Sequence, residues 1–299
     1  MSGDPKQMNK LKKAIPHIVF LGPAFILFSL AVIIPFAVSI YYSLTDWNGI
    51  SSTSNFVGFK NYIAIFSGKT QFLTAAKFTV WIGLVIVVLT NLLGIALAAL
   101  LEKKFHGSDF FRAVFFLPNT MGGVVMGYIW RFIFIAAFGA LGEIFKWKVL
   151  QLPWLGTPGT AYAALIIVSV WQGAGYVMVI MIAALTGIPA ELTEAAKVDG
   201  ASAWKTFWSV KMPQCIPYLT VCLFWSIATS FKMFDVNVAL TKGGPYGMTT
   251  SMAQQIYNDA FTSNRYGLAN AEAMVFFVII FVVTALQMYL TGREEKRLS

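Results

Sequence analysis

The sequence predicts an all-α integral membrane protein with six transmembrane helices. Of its 299 residues, 58% are hydrophobic and only 12% are charged, whereas soluble domains usually carry about 25% charged residues. The apolar residues form runs long enough to cross a bilayer, which takes about 20 residues per helix. This composition excludes a soluble enzyme. It also explains the net charge of +9 without nucleic acid as a partner, because positive residues flank membrane spans and set their topology.

Three of the six predicted spans contain proline. Span one has no charge over 25 residues, and its Pro23 and Pro35 are tolerated because neighbouring groups satisfy the freed carbonyls. Span three is interrupted by Pro118 and Asn119. Span five begins near Pro217, which suits a first helical turn. We expect one transmembrane domain over residues 1–299, with spans at about 18–42, 78–101, 113–134, 161–185, 216–240 and 271–290.

Small residues in two spans indicate packing. Gly123 and Gly127 have the GxxxG spacing that lets another helix approach closely. Cys215 and Cys222 would lie about 10 Å apart along one helix, which is too far for a disulfide. We interpret both cysteines as packing residues, and we expect no metal site.

The distribution of positive charge predicts the orientation. Thirteen Lys and Arg residues lie on the side of the two termini, and six lie on the opposite side. Cytoplasmic loops carry an excess of Lys and Arg. We therefore expect both termini in the cytoplasm, together with the region between spans four and five.

That region, residues 187–213, is called the polar segment below because it interrupts the apolar pattern. Pro189 fits the first turn of a helix, and Glu191 and Glu194 lie near its positive N-terminal end. Gly200 can take the left-handed conformation that ends a helix. This spacing alone is equally typical of an ordinary amphipathic loop helix.

A second short helix is expected after this glycine. Ser202 can cap a helix over residues 203–211, and Met212–Pro213 is expected to stop it. The first helix presents small residues beside acids, which suits close contact with another surface. Leu192, Ala196 and Gly200 share one face, and Glu191, Ala195 and Asp199 share the adjacent face.

The polar segment resembles a signature of permease subunits of ATP-binding-cassette importers. Residues 194–213 read EAAKVDGASAWKTFWSVKMP, which is similar to the EAA motif: a Glu-Ala-Ala triplet, a later glycine and a hydrophobic–Pro pair. Asp199 to Ala201 has the Asp-Gly-Ala form common in the sugar-importer branch. Met212 stands where leucine is usual, a conservative departure.

Three further segments resemble sugar permeases of the maltose, lactose and glycerol-phosphate type, so that the resemblance covers nearly the whole chain. They read FVGFKNYIAIF, FRAVFFLPNTMGGVVMGYIWRFIF and FKMFDVNVALTKGGP. Lys242 in the third stands where a glycine is common. The resemblance implies the type I, MetI-like permease fold in a bacterial cell membrane.

The resemblance also implies partners. No GxxxxGK[ST] phosphate loop is present, so that ATP and Mg would be used by two separate ATPase subunits, and this chain would be a transport subunit without a cofactor. A second homologous permease and an extracytoplasmic solute-binding protein that delivers a sugar would complete the importer. The residues that would dock on the ATPase are Glu194, Ala195, Ala196, Asp199 and Gly200.

Polar side chains within the spans are candidates for substrate contacts, because burying them in a membrane is costly. Aromatic rings beside neutral hydrogen-bonding groups suit a sugar. Hydrogen bonding between helices is the alternative explanation. Lys232 and Asp235 are expected to form a salt-bridged gate or interface pair. The candidate substrate-binding residues are Asn119, Trp171, Gln172, Tyr176, Ser226 and Ser230.

Two other functions fit the composition. The solute could be glycerol phosphate or another polar molecule, although we find no arginine cluster for a phosphate ester. An ion-coupled secondary transporter would need inverted repeats and a buried acidic ion site. Asp235 lies near a span end, and spans one to four and six show no midspan carboxylate.

Overall fold

The computed structural model describes residues 19–103 and 105–298, and for residues 294–298 only the helical backbone. Within these residues all regular secondary structure is helical, apart from one isolated bridge between Thr45 and Phe56. The helices are α1 (Val19–Ser43), α2 (Lys60–Phe66), α3 (Phe72–Leu101), α4 (Ser108–Thr120), α5 (Gly123–Phe145), α6 (Pro158–Thr186), α7 (Ala190–Val198), α8 (Ala203–Gln214), α9 (Ile216–Phe231), α10 (Asp235–Leu240), α11 (Met252–Tyr257) and α12 (Tyr266–Leu298).

Five of the described helices are long and apolar enough to cross a membrane: α1, α3, α5, α6 and α12. A sixth candidate is the pair α8 and α9, whose axes are bent by 74° at the junction. The all-helical architecture predicted from the sequence is therefore confirmed, with one span of unusual shape.

The expected bounds of span three, 113–134, are wrong. The chain leaves the helical conformation at Met121 and Gly122, whose ψ angles are 137° and 141°. Residues 113–120 belong to α4, and the helix able to span is Gly123–Phe145. It begins and ends later than expected, because the apolar run continues through a π-helical turn at Ile133–Ala137 into part of the expected loop.

Span five is also interrupted, instead of running unbroken over 216–240. α9 ends at Phe231, and the helix resumes only at Asp235. Pro217 lies in the first turn of α9, as predicted. Pro213 does not stop the preceding helix, because a π-helical turn at Phe207–Lys211 shifts the hydrogen-bond register ahead of the proline.

The centre of the fold is the packing of α3 against α6. Gly94 makes this contact possible, because a Cβ on Gly94 would lie 2.5 Å from Cβ of Val177. Cys215 and Cys222 are buried in the cluster at one end of this pair and form no disulfide, which confirms them as packing residues. α1 packs on α12 and is almost wholly exposed.

The GxxxG spacing in α5 brings the two interrupted spans together. A Cβ on Gly123 would lie 2.8 Å from Cβ of Asp235, and one on Gly127 would lie 2.5 Å from Cβ of Ala239. α5 and α10 therefore approach through backbone surfaces, as predicted for this motif. Arg131 extends the contact, since its Nη1 donates to the carbonyl of Leu240 at 3.0 Å.

Replacing Gly127 with alanine should separate these helices. The added methyl group would meet Ala239 Cβ at 2.5 Å and the Leu240 nitrogen at 3.2 Å. We expect Gly127→Ala to reduce the free energy of unfolding by about 1–3 kcal/mol, measured as a lower thermal midpoint of the purified protein. The control is Gly139→Ala in the same helix, where a methyl group meets nothing within 4 Å. Equal midpoints for the two variants would contradict the packing argument.

Candidate functional site

A cleft of about 740 Å³ opens where the two interrupted spans meet. Its size lies within the range of ligand-binding pockets, about 300–1,000 Å³. Residues of α3, α4, α6 and α9 complete its wall, and the break at 232–234 forms one side. Its polar lining residues are Thr90, Asn119, Ser169, Gln172, Ser226, Thr229, Ser230, Lys232 and Asp235.

Gln172 holds the break between α4 and α5. Its side-chain Nε2 donates to the carbonyl of Met121 at 3.0 Å, and the side chain of Asn119 reaches the Gln172 carbonyl at 3.5 Å. The Met121 carbonyl lies outside helical hydrogen bonding, and the glutamine amide satisfies it within the protein. Gln172 therefore shapes the cleft as well as lining it.

Four of the six candidate substrate-binding residues line the cleft, and two do not. The four are Asn119, Gln172, Ser226 and Ser230. Trp171 instead packs edge-on against Trp130, with ring centroids 5.4 Å apart. Tyr176 stacks on Trp225 with centroids 4.1 Å apart, and reaches the cleft only through that indole, which is itself a lining residue.

Ser226 takes part in a hydrogen bond between spans. Asn91 of α3 donates through Nδ2 to Ser226 Oγ at 2.9 Å and to the Val87 carbonyl at 2.8 Å. Ser226 Oγ in turn lies 2.6 Å from the Cys222 carbonyl. Asn91 is a polar residue of span two that sequence reasoning missed, although one amide within an apolar run is itself a signal.

Lys232 and Asp235 do not form the expected ion pair. Both side chains are exposed and both line the cleft, but no salt bridge joins them. The reason is local: the non-helical residues between them place the two side chains on separate backbone segments. The cleft therefore contains one positive and one negative group that are not bonded to each other.

Thr90, Trp225 and Thr229 are among the lining residues that the sequence analysis did not single out. Trp225 and Thr229 stand at i and i+4 on one face of α9, and Lys232, which directly follows this helix, continues the spacing at i+7. That spacing is a sequence signal that could have identified them.

A buried carboxylate cluster lies away from the cleft and was not foreseen. Asp259 accepts a hydrogen bond from Gln255 at 2.9 Å and forms an ion pair with Arg265. Glu272, in the second turn of α12, is fully buried, and neither of its carboxylate oxygens has a hydrogen-bond partner among the described residues. These groups lie where the segment around α11 packs against the start of α12.

The polar segment forms a helix that ends as expected. α7 closes with the Schellman pattern: the Ala201 N–H donates to the Ala196 carbonyl at 2.9 Å, and the Gly200 N–H to the Lys197 carbonyl at 3.0 Å. Gly200 has φ +75°, the left-handed conformation predicted for it. Ser202 caps the next helix by accepting from the Lys205 N–H.

The outward face of α7 differs from the predicted one. Ala196 is buried, although it was expected to share an open face with Leu192 and Gly200. α7 rests on α8. The five candidate docking residues therefore divide: Glu194, Ala195, Asp199 and Gly200 are exposed and Ala196 is not. Val198, 88% exposed, adds an apolar group to the open face.

Comparison with known proteins places this geometry in a family. The family described as "Binding-protein-dependent transport system inner membrane component" matches residues 91–296. This range contains the polar segment and every lining residue of the cleft except Ile86 and Thr90. The probable starch degradation products transport system permease protein AmyD of Thermoanaerobacterium thermosulfurigenes is 38% identical over 97% of this chain and 98% of its own length.

A second relative and a solved structure are also similar to this chain. The multiple sugar-binding transport system permease protein MsmF of Streptococcus mutans is 38% identical over 85% of this chain and 88% of its own length. A chain of a bacterial alginate ABC transporter, solved with an alginate pentasaccharide-bound periplasmic protein, superposes with a TM-score of 0.84. It covers 96% of this chain and 98% of its own length at 20% identity, a likeness that concerns the fold.

Thiol labelling can test whether the cleft holds water. Cys215 and Cys222 are both fully buried, so that the unmodified protein should react slowly with a charged thiol reagent. We expect Thr229→Cys, in the cleft, to react at least about tenfold faster, because such reagents attack hydrated thiolates.

Two matched positions serve as controls. Val221→Cys is on the same helix and is exposed, but lies outside the cleft, and Thr79→Cys is fully buried. Both should react as slowly as the unmodified protein. A Thr229→Cys rate no higher than that of Thr79→Cys would contradict a hydrated cleft.

Proposed function

The chain belongs to the family of binding-protein-dependent transport system inner membrane components, and we propose that it lets sugars or oligosaccharides cross the membrane in an ATP-driven importer. As a multi-pass membrane permease subunit it is not itself an enzyme. The relatives above are named for starch degradation products and for multiple sugars, which supports the substrate class.

The composition of the cleft carries the proposal for a sugar. Its polar lining consists of neutral hydroxyl and amide groups beside one indole ring, and its two charged groups, Lys232 and Asp235, balance each other. Hydroxyl and amide groups pair with sugar hydroxyls, while an aromatic face covers C–H surfaces. A balanced pair provides no net attraction for a phosphate ester, which favours a neutral sugar over glycerol phosphate.

Asn119, Gln172, Ser226 and Ser230 are the proposed substrate contacts, with Trp225 and Thr229 added by the structure. Trp171 and Tyr176 act through neighbouring rings, as supports of the wall. Lys232 and Asp235, at the break in span five, gate the cleft. The ends of interrupted helices suit this role, because they direct backbone polar groups into a cavity.

The polar segment is the proposed docking element for the ATPase. Glu194, Ala195, Asp199 and Gly200 face outward, and Val198 adds exposed apolar surface. Ala196 is buried beneath this surface, and α7 rests on α8. Two ATPase subunits, which use ATP and Mg, would close and shift this segment, and so turn the cleft from one side of the membrane to the other.

The remaining partners follow from this mechanism. A second homologous permease completes the pathway, and an extracytoplasmic solute-binding protein delivers the sugar to the opposite end. Both termini and the polar segment lie in the cytoplasm of a bacterial cell. The chain itself needs no cofactor or metal.

Charge reversal at Glu194 tests the docking role. We expect Glu194→Lys to leave the thermal midpoint unchanged, because this side chain is exposed and has no salt bridge among the described residues. Substrate-stimulated ATP hydrolysis should fall at least about tenfold when the chain is reconstituted with its ATPase and permease partners, since reversing an interface charge costs several kcal/mol.

The matched control is Glu143→Lys, an exposed carboxylate at the far end of α5. It should keep full coupling. Undiminished transport by Glu194→Lys would remove the docking assignment. Equal sugar transport without any ATPase would overturn the proposed function and favour an ion-coupled carrier.

A further inference from the structure

A second cleft, called the interfacial groove below, lies where α3 ends against α7 and α8. Its volume is about 1010 Å³, and it shares no lining residue with the cleft between the interrupted spans. Its walls are the last turns of α3, one side of α7, and the face of α8 that carries two tryptophans. None of the functions assigned above uses this groove.

The orientation of α8 places the groove at the level of a membrane interface. α8 meets α9 at 74°, so that α8 lies close to the membrane plane when α9 crosses it. Trp204 and Trp208 on α8 are 73% and 45% exposed, and their rings meet edge-on with centroids 5.6 Å apart. Tryptophan is enriched at this depth, where an amphipathic ring meets the lipid headgroups.

The charged groups of the groove leave a positive surplus. Glu102 and Lys211 form an ion pair at 2.7 Å, with side chains only 12% and 19% exposed. Lys103 and Lys197 also line the groove, are exposed, and have no salt bridge among the described residues. The only carboxylate of the lining is therefore already neutralised, and two lysines remain for an anion.

An apolar track runs away from these lysines along α3. Leu92, Ala96 and Leu100 stand at i, i+4 and i+8, and so lie in one row about 12 Å long. All three line the groove, and Leu92 and Leu100 are 58% and 72% exposed. Positive charge, exposed indoles and an apolar row thus follow one another from the interface into the membrane.

We propose that the interfacial groove binds one anionic phospholipid of the cytoplasmic leaflet. Lys103 and Lys197 hold the headgroup phosphate, the tryptophans border the glycerol region, and an acyl chain lies along Leu92 and Leu100. Basic pockets between membrane helices on the cytoplasmic side recognise anionic headgroups in this way. Placement on the cytoplasmic side rests on the proposed function.

A lipid bound in this groove would affect the coupling between this chain and the ATPase. Lys103 follows the end of α3, whereas Lys197 belongs to α7. A phosphate held by both lysines therefore ties the proposed docking helix to span two. The lipid would reduce the freedom of α7 when no ATPase is bound.

Native mass spectrometry of the full-length purified chain can test this proposal. After delipidation, phosphatidylglycerol is titrated in parallel with phosphatidylcholine. We expect the double variant Lys103→Gln/Lys197→Gln to bind phosphatidylglycerol about thirtyfold more weakly, from about 1 kcal/mol per lysine near an anionic surface. Phosphatidylcholine binding should change less than threefold.

Two double variants check the specificity of this loss. Lys103→Arg/Lys197→Arg keeps the charge and should keep the affinity, which excludes a folding defect as the cause. Lys146→Gln/Lys148→Gln removes two exposed lysines at the opposite end of the spans and should also bind as the unmodified chain does. Equal phosphatidylglycerol affinity in all variants would overturn the proposal.

Competition distinguishes the possible occupants. Inorganic phosphate at the concentration of the lipid should displace nothing, because it has no acyl chain; full displacement would identify an ordinary phosphate site and overturn the lipid assignment. The lipid assignment would also be overturned if Lys103→Gln/Lys197→Gln still binds phosphatidylglycerol but no longer co-purifies with the partner permease, because the groove would then be a protein interface. The lipid measurement needs neither ATP nor a sugar, so that its failure is distinguishable from a failure of coupled transport.

Discussion

The structure depends on the contact between α5 and α10, where two interrupted spans pack through glycine. Breaking a helix inside a membrane frees backbone N–H and C=O groups, and each costs several kcal/mol when no partner is available. Here Gln172 donates to the Met121 carbonyl freed at the first break, and Arg131 of α5 donates to the Leu240 carbonyl at the end of α10. Gly127 lets α5 and α10 come close enough for the bond between Arg131 and Leu240. The cleft is the space that the two breaks leave.

The fold was largely predictable from the sequence because membrane spans obey strong local rules. Length, hydropathy and loop charge locate helices without knowledge of their packing. The same rules correctly predicted the end of α7 at Gly200, since a left-handed glycine acts within a single turn. They failed at residues 121–122 and 232–234, where the chain leaves the helix although only Pro118 signals a break. At 121–122 the freed Met121 carbonyl is satisfied by Gln172, a distant residue that the local pattern does not identify.

The candidate site was less predictable from the sequence than the fold was. Polarity within a span identified Asn119, Gln172, Ser226 and Ser230, all of which reach the cleft. Polarity alone does not distinguish side chains that face the cavity from those that hydrogen-bond to another helix, and Ser226 does both. Aromatic residues were the least predictable, because one helical turn decides whether a ring faces the cleft or another ring. Tyr176 thus packs on Trp225, and only the indole reaches the cavity.

The order of elements along the chain connects the two ends of the molecule. The polar segment is joined on one side to α6, which carries Gln172. On the other side it is joined, through α8, to α9, which carries Ser230 and ends at Phe231, directly before Lys232. Both helices adjoining the segment are therefore walls of the cleft. Each is a continuous helix between the two sites, and a helix transmits axial displacement because its hydrogen bonds run along its axis. A shift of α7 must consequently move two walls of the cleft. The 74° bend at Cys215 makes these movements unequal, because α8 turns the displacement across the membrane plane while α6 carries it along the span. Unequal movement of adjacent walls is the geometric condition for closing one end of a cleft while opening the other.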